Sequence, residues 1–569
     1  MTTTRVSSTE TPSAAAAPPR LTAGTLVAAA IAVCVAQVAL AIPAVLNGLF
    51  QEDLGTSSSQ LTWISDAFLV PVTLLELTFG VLGDLFGRKR LLVGGALLLS
   101  VGELIAVLTP GASASTDTRV LVLWTGQILA GIGAAALFPT SLAVVAAGTH
   151  TVADRSRALT IWAAALASGG FVSPVLGGLV TKAGFGSDPT ASWRWAFIAV
   201  LVLGLVSAAV SAVAATNSSS SEGRSLDWPG QVTVAVALFA LLYAVIQGPT
   251  SGWGSGSVVL GFVLGAVFLV LFVIAENRSD APLLRMDLFR NRAFAIAALV
   301  TVVGMFAYLG AAYTTSIRLA AIQGFSPLRT SVAFVLLNGM CLPLMPVTAR
   351  LLGRYNPKWA LGAGSSLTAA GTFWLSTISA SDRSLLSVTA PLALIGVGFA
   401  FGVASVTAVA VNTVPNHLAG MASGSTSMLR DVGFTLGPAV IGAIALSRAA
   451  GAMHAKIAAS PTLQRALAAF NGAPGHVPAA QRPSVEAAVG AVNSGPLGAN
   501  AVPAQVPGPD GKLVPFNPLK NVAFHALDHA YAVGYVVCGI AALGAAVLAV
   551  LFIGGDTHET LITADSLNE

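Results

Sequence analysis

The chain has 569 residues, of which 55% are hydrophobic and only 9% charged, with a mean hydropathy of +0.80 and a formal net charge of +4. Soluble globular domains carry about 25% charged residues, so this composition excludes a soluble protein and requires a polytopic membrane protein. Its apolar runs of roughly 20 residues have the length of spanning helices rather than the ~10-residue alternation of barrel strands, so the fold class is all-α.

In chain order, residues 1–20 are polar and rich in Ala, Ser and Thr, with no cleavage site closing the first apolar run, and read as a disordered tail. Apolar runs follow at 24–46, 61–82, 91–109, 120–146, 158–181, 193–215, 229–247, 256–275, 293–316, 328–349, 357–379, 386–412, 425–447 and 530–553, which makes fourteen transmembrane helices. An even number puts both termini on one side. The N-terminal tail and the alternate loops that begin with Arg88-Lys89-Arg90 carry more Lys and Arg than the opposing short loops, so both termini are expected to be cytoplasmic.

Two segments repeat at nearly one offset. Gly83-Asp84-Leu-Phe-Gly87-Arg88 returns as Ala349-Arg350-Leu-Leu-Gly353-Arg354, and Gly169-x-x-x-Ser173-Pro174 returns as Gly433-x-x-x-Gly437-Pro438. This predicts two homologous six-helix bundles. The first bundle covers 21–216 and the second starts with five helices over 293–447. Between them, 217–292 forms an inserted helix pair and an amphipathic linker, with Leu283, Leu284, Leu288 and Phe289 set among Arg278, Arg285, Arg290 and Arg292 on the inner leaflet. Residues 448–524, rich in Ala, Pro and Gly, are read as an extracytoplasmic loop with two short helices and an extended return, without chemistry and dispensable for folding. The last helix lies within 525–555 and a cytoplasmic tail in 556–569.

Cys34, Cys341 and Cys538 lie far apart in apolar runs, and His525 and His529 lack a third partner, so neither a metal site nor a disulfide is expected. No phosphate-binding G-x-x-x-x-G-K-[ST] motif occurs, and no cofactor is expected. The net charge belongs to basic loops rather than a nucleic-acid surface.

The turn Gly80-Val-Leu-Gly-Asp84-Leu-Phe-Gly87-Arg88-Lys89-Arg90 fills every fixed position of G-x-L-x-D-x-x-G-R-[RK]-[RK]. It resembles the signature loop of the major facilitator superfamily. Trp63-Ile-Ser-Asp66-Ala-Phe68, Ser192-Trp193-Arg194-Trp195, Leu288-Phe289-Arg290-Asn291-Arg292 and Gly420-x-Ala422-Ser-Gly424 with Arg430-x-x-Gly433 are similar to features of its fourteen-helix drug:proton antiporter family. The resemblance implies a gate in which Asp84 faces the positive end of a helix in the other half, organised by Gly80, Gly87 and Arg88, with Arg350, Gly353 and Arg354 as repeat counterparts. Gly169, Ser173, Pro174, Gly177 and Gly178 resemble the antiporter motif, in which small residues allow close packing and proline bends the helix, and which implies export.

Acids inside membrane spans are costly and point to function. Asp66 and Glu76 lie on one helix, about 15 Å apart along its axis and about 80° apart around it, and so act as separate proton or substrate sites. Glu103 is a third candidate. Two positions depart from the family: Ala39 stands where an aspartate is usual, and Gln127 replaces the arginine of L-x-x-x-R-x-x-x-G-x-G. Arg318, Arg430 and Asp431 are the remaining intramembrane charges, with Asp431 as able to neutralise Arg430 as to bind substrate. The scattered charges argue against an embedded enzyme. The expectation is a secondary transporter in a bacterial plasma membrane that exports lipophilic or amphipathic compounds by proton antiport with alternating access. Its partners are those compounds, protons and membrane lipids. The alternative is a weakly coupled or uncoupled exporter of lipids or lipid-like natural products.

Overall fold

A computed structural model describes residues 21–149, 152–184, 188–219, 226–280, 282–412, 419–508 and 510–553. The tails expected at 1–20 and 556–569 lie outside the described residues. The helices of the N-terminal half are α1 (Ala23–Ala41), α2 (Pro43–Leu54), α3 (Ser58–Phe86), α4 (Arg88–Val107), α5 (Thr116–Ala147), α6 (Val152–Lys182) and α7 (Trp193–Ala214). The inserted pair is α8 (Trp228–Ser251) and α9 (Gly256–Arg278). The C-terminal half contains α10 (Arg292–Ser316), α11 (Pro327–Gly339), α12 (Cys341–Arg354), α13 (Pro357–Thr377), α14 (Leu385–Asn412), α15 (Ala419–Ala458) and, after a short interlude, α19 (Lys520–Phe552).

Local chemistry sets many of these boundaries. Ser57 and Gln60 form a reciprocal capping box at the start of α3, and Ser115, Asp227, Asn291 and Ser326 cap α5, α8, α10 and α11. Pro43 divides α1 from α2, and Pro343 lies just after the break between α11 and α12; neither ring nitrogen can bond the carbonyl four residues back. Each divided pair still makes one crossing.

Thirteen spans among the described residues are long and apolar enough to cross a membrane. The fourteenth expected one is the 21-residue α13, whose Gly, Ser and Thr content makes it less apolar than the others. It packs on α14 and α19, where small residues allow close approach. The fold is therefore the expected all-α one, two six-helix bundles with two inserted helices.

The halves meet where α3 packs on α15, where α6 packs on α11 and, at the end opposite Arg88, where α2 packs on the end of α10. There α10 continues into a π-helical turn, Ile317–Ile322. Helix α8 touches both α3 and α15, and Gln231 on it bonds Thr78 and donates to the Leu74 carbonyl at 2.6 Å. In the linker after α9, Leu284 packs with Val234, Phe272 and Met428, and Leu288 is also buried.

Two boundaries and one segment differ from the sequence reading. Helix α15 extends to Ala458 and α19 begins at Lys520, because both continue past the apolar run as amphipathic helices. Between them stand the two expected short helices, α16 (Pro461–Gly472) and α17 (Arg482–Asn493). The expected extended return is instead α18 (Pro496–Ala501) and a hairpin of β1 (Gln505–Pro507) and β2 (Leu513–Pro515). This interlude has an apolar core of Met453, Phe470, Val492, Ala499, Val502, Leu519 and Ala523, so it is not a featureless loop.

Candidate functional site

The most concentrated chemistry lies on the seam between α3 and α15. The Thr73 and Thr435 hydroxyls meet across it at 2.7 Å, next to the Asp431 carbonyl. One turn along, Arg430 Nε donates to Asp431 Oδ1 at 2.8 Å and Nη2 to Oδ2 at 3.3 Å, while Nη2 lies 3.9 Å from Glu76 Oε2. Glu76 and Asp431 are both buried, and the Arg430 guanidinium lies beside each of them. Two carboxyl groups and one guanidinium leave one negative charge when both acids are ionised, and a single proton makes the set neutral. In a low-dielectric seam that proton changes the electrostatic energy of holding the halves together. Of the two roles open to Asp431, the structure shows its ion pair with Arg430, and Glu76 from the other half lies beside that pair.

Asp66 lies about 15 Å from Glu76 along α3 by helical rise. It is fully buried, and neither carboxyl oxygen has a hydrogen-bond partner. It is within electrostatic reach of Tyr313, whose hydroxyl pairs with Thr62 at 2.8 Å. Glu103 on α4 and Gln127 on α5 are also fully buried without partners, inside the N-terminal half where these two helices pack together. The structure thus separates the four candidates: Glu76 sits in a charged seam, Asp66 next to a Tyr–Thr pair, and Glu103 and Gln127 within one bundle. Arg318, on the π turn, donates to the Leu375 carbonyl at 3.2 Å near the end of α13, while its Nε and Nη2 have no partner.

The signature turn is braced by Arg88 and by the segment after α7. Arg88 Nη2 and Nε bond Asp84 Oδ1 at 2.6 and 3.1 Å, and the Arg88 amide donates to the Ser218 carbonyl at 3.0 Å. Gly87 has φ +100°, and a side chain there would also meet Asn217, so both its backbone and its space require glycine. The resemblance gives Asp84 a helix N-terminus in the other half as its partner; residues 413–418, ahead of α15, lie outside the described residues. Arg350 and Arg354 are exposed at the end of α12, with Gly353 between them, and Gly80 lies in the last part of α3.

The antiporter-like segment of α6 uses two faces. A Cβ on Gly169 would come within 2.5 Å of the Cys34 carbonyl, Ser173 donates to the Val38 carbonyl at 3.0 Å, and Gly177 faces Val45, so this face, astride Pro174, is set into α1 and α2. A Cβ on Gly178 would come within 2.7 Å of Leu328 Cα, on α11 of the other half. The repeat keeps the same geometry: a Cβ on Gly433 would come within 2.5 Å of the Val302 carbonyl, so α15 is set into α10 as α6 is into α1.

Sequence reasoning missed the uncharged polar contacts between halves: Thr73 with Thr435, Thr62 with Tyr313, and Asn47, whose amide donates to Ser316 at 2.7 Å. A threonine in an apolar helix can simply bond its own preceding turn, as Thr73 also does to the Leu69 carbonyl, so its presence gives no signal of a partner. The network around Asp53, which takes Arg119 at 2.7 Å and the Trp193 indole at 2.8 Å, was equally hidden by its span of 140 residues.

The family model described as Major Facilitator Superfamily matches residues 27–438. The multidrug resistance protein Stp of Mycobacterium tuberculosis is 30% identical over 394 residues, 69% of this chain and 70% of its own. The tetracenomycin C resistance and export protein of Streptomyces glaucescens is 29% identical over 74% of this chain and 76% of its own. Among solved structures, a bacterial homologue of the human drug peptide transporters superposes with a TM-score of 0.54 at 16% identity, covering 96% of this chain and 99% of its own, and shares the fold. Signature turn, paired repeats, fold and family model agree: the chain belongs to the major facilitator superfamily and is a multi-span membrane transporter, not an enzyme.

Proposed function

We propose that the protein exports lipophilic or amphipathic compounds from the cytoplasm by alternating access, exchanging them for protons. The observation that carries this reading is the Glu76–Arg430–Asp431 set, in which one proton decides the charge of the seam between the two halves. Loading a proton from outside and losing it inside would alternate the electrostatic cost of closing α3 against α15, and Asp66 would hold a second proton nearer the opposite end. Relatives named for multidrug resistance and for tetracenomycin C export support an exporter of drug-like molecules. We place the protein in the plasma membrane with both termini cytoplasmic, on the basis of the Arg and Lys excess in the loops that include Arg88. Asp84 and Arg88 then belong to the cytoplasmic gate, the contact of α2 with the end of α10 closes the outside, and Gly178 sets how closely α6 and α11 approach.

The test is reconstitution into vesicles with a fluorescent lipophilic cation and a pH-sensitive dye. Dye flux should carry protons in the opposite direction, and Glu76→Gln should abolish proton movement more completely than dye binding. A second reading, an uncoupled or weakly coupled exporter of lipids or lipid-like products, is favoured by buried Ala39 and by neutral, unpartnered Gln127. Dye flux in the unaltered protein that is indifferent to an imposed pH gradient rejects antiport in favour of that reading.

A further inference from the structure

We propose that α18, in the interlude between α15 and α19, is a latch for the outer gate: it is fixed to the C-terminal half and clamps the closed position of α2. This rests on the orientation proposed above.

The attachment to the C-terminal half is polar and multiple. The π turn leaves the Ala321 and Ile322 carbonyls at a helix end, and the Asn500 side-chain amide donates to both, at 3.1 and 3.2 Å. Lys520, at the start of α19, donates to the Asn500 backbone carbonyl. Asn517 donates to the Ala499 carbonyl at 2.6 Å and accepts from the Leu519 amide at 2.9 Å. All of these partners belong to α10, α19 or the interlude itself, and Asn500 and Asn517 are both buried.

The contact with the N-terminal half is of another kind. Helix α18 also packs on α2 and on the π turn, and its Leu497 is buried, 1% exposed, within the apolar core that runs through both halves. Beneath it, α2 and the π turn touch so closely that a Cβ on Gly48 would come within 2.8 Å of the Ala320 carbonyl, and Asn47 bonds Ser316. Opening this end requires α2 to leave the π turn. Because α18 is bonded to the π turn, it must travel with the C-terminal half and give up its apolar contact with α2. That contact therefore stabilises only the state closed to the outside, and a ligand-independent bias of this type shifts the gate equilibrium without touching the transport site.

The experiment uses full-length protein with Cys34, Cys341 and Cys538 replaced and one reporter, Ala320→Cys, which faces Gly48 in the closed seam. Labelling by an impermeant thiol reagent is followed in intact cells. Leu497→Ala should raise the labelling rate about tenfold or more, since it removes buried apolar bulk from α18, the helix that packs on α2 only in the closed state. Asn500→Asp, close in shape, should act in the same direction by repelling the two carbonyls, and is read alone should Leu497→Ala fail to give a monodisperse protein. A Gly475→Cys control reports orientation independently. Labelling of Gly475→Cys with an Ala320→Cys rate unchanged by either variant overturns the latch while leaving the orientation standing. Protection of Gly475→Cys overturns both.

Discussion

Replacing Arg430 by Met removes the cation that pairs with two acids in the seam between α3 and α15, and the structure sets the size of the effect. Its guanidinium lies 2.8 Å from Asp431 and 3.9 Å from Glu76. At an effective dielectric of about 20 these separations correspond to ~6 and ~4 kcal/mol of attraction. Desolvation of the three groups and repulsion between the two carboxyl groups offset much of that, so the net loss on removing Arg430 alone is about 3–5 kcal/mol, the range for a broken buried ion pair. Asp431→Asn should cost less, and Glu76→Gln least, following the distances. Adding both neutral substitutions to Arg430→Met should recover most of the loss, since no buried charge is then left uncompensated. Stability is measured in detergent by denaturant titration and by a thiol-reactive dye that reports exposure of the buried Cys341 and Cys538. An Arg430→Met protein within about 0.5 kcal/mol of the original, the range of an ordinary surface change, refutes the reasoning. So does a triple variant no more stable than the single one.

Gly87→Ala should destabilise the signature turn by about 1–2 kcal/mol, because φ is +100° and Asn217 fills the space beside it; a smaller loss in denaturant titration would show that the turn can relax. Asp84→Asn should leave membrane insertion intact and lower transport several-fold, since the charge that holds Arg88 at 2.6 Å is lost while the shape remains; full transport at matched expression counts against a gating role. Gly178→Leu should block the close approach of α6 to α11 and reduce transport more than it reduces stability, whereas Gly475→Leu, in open space, should change neither. Cysteines at Gly475 and Val506 should react with an impermeant reagent from outside, and one at Ser219 only after the membrane is broken; the reverse pattern would invert the proposed orientation.

By itself, the sequence determined the fold class, the spans and the pairing of the halves, because these depend on hydropathy and on local chemistry repeated along the chain. Hydrophobic length sets a spanning helix wherever it occurs, and capping residues such as Ser57 and Gln60 act on backbone groups a few residues away. Gly169 and Gly433 were recognisable as packing positions because the absence of a side chain has the same consequence in both halves. The acids Asp66, Glu76 and Glu103 stood out because charge in an apolar run is costly wherever it points.

What tertiary structure decided is which of those groups meet. Nothing local to Glu76 specifies that it faces Arg430, 354 positions later, while Thr62 on the same helix pairs with Tyr313. Nor could composition show that the Pro- and Gly-rich interlude folds around Phe470 and Phe516, whose rings meet edge-on at 5.5 Å, and packs α18 on α2 and the π turn. The early start of α19 was hidden for the same reason: its first turns are buried against the interlude rather than in lipid, so hydropathy alone underestimates them. Contacts between distant segments depend on the summed packing of all the helices, and a side chain's partner is set only once that packing has brought the two together.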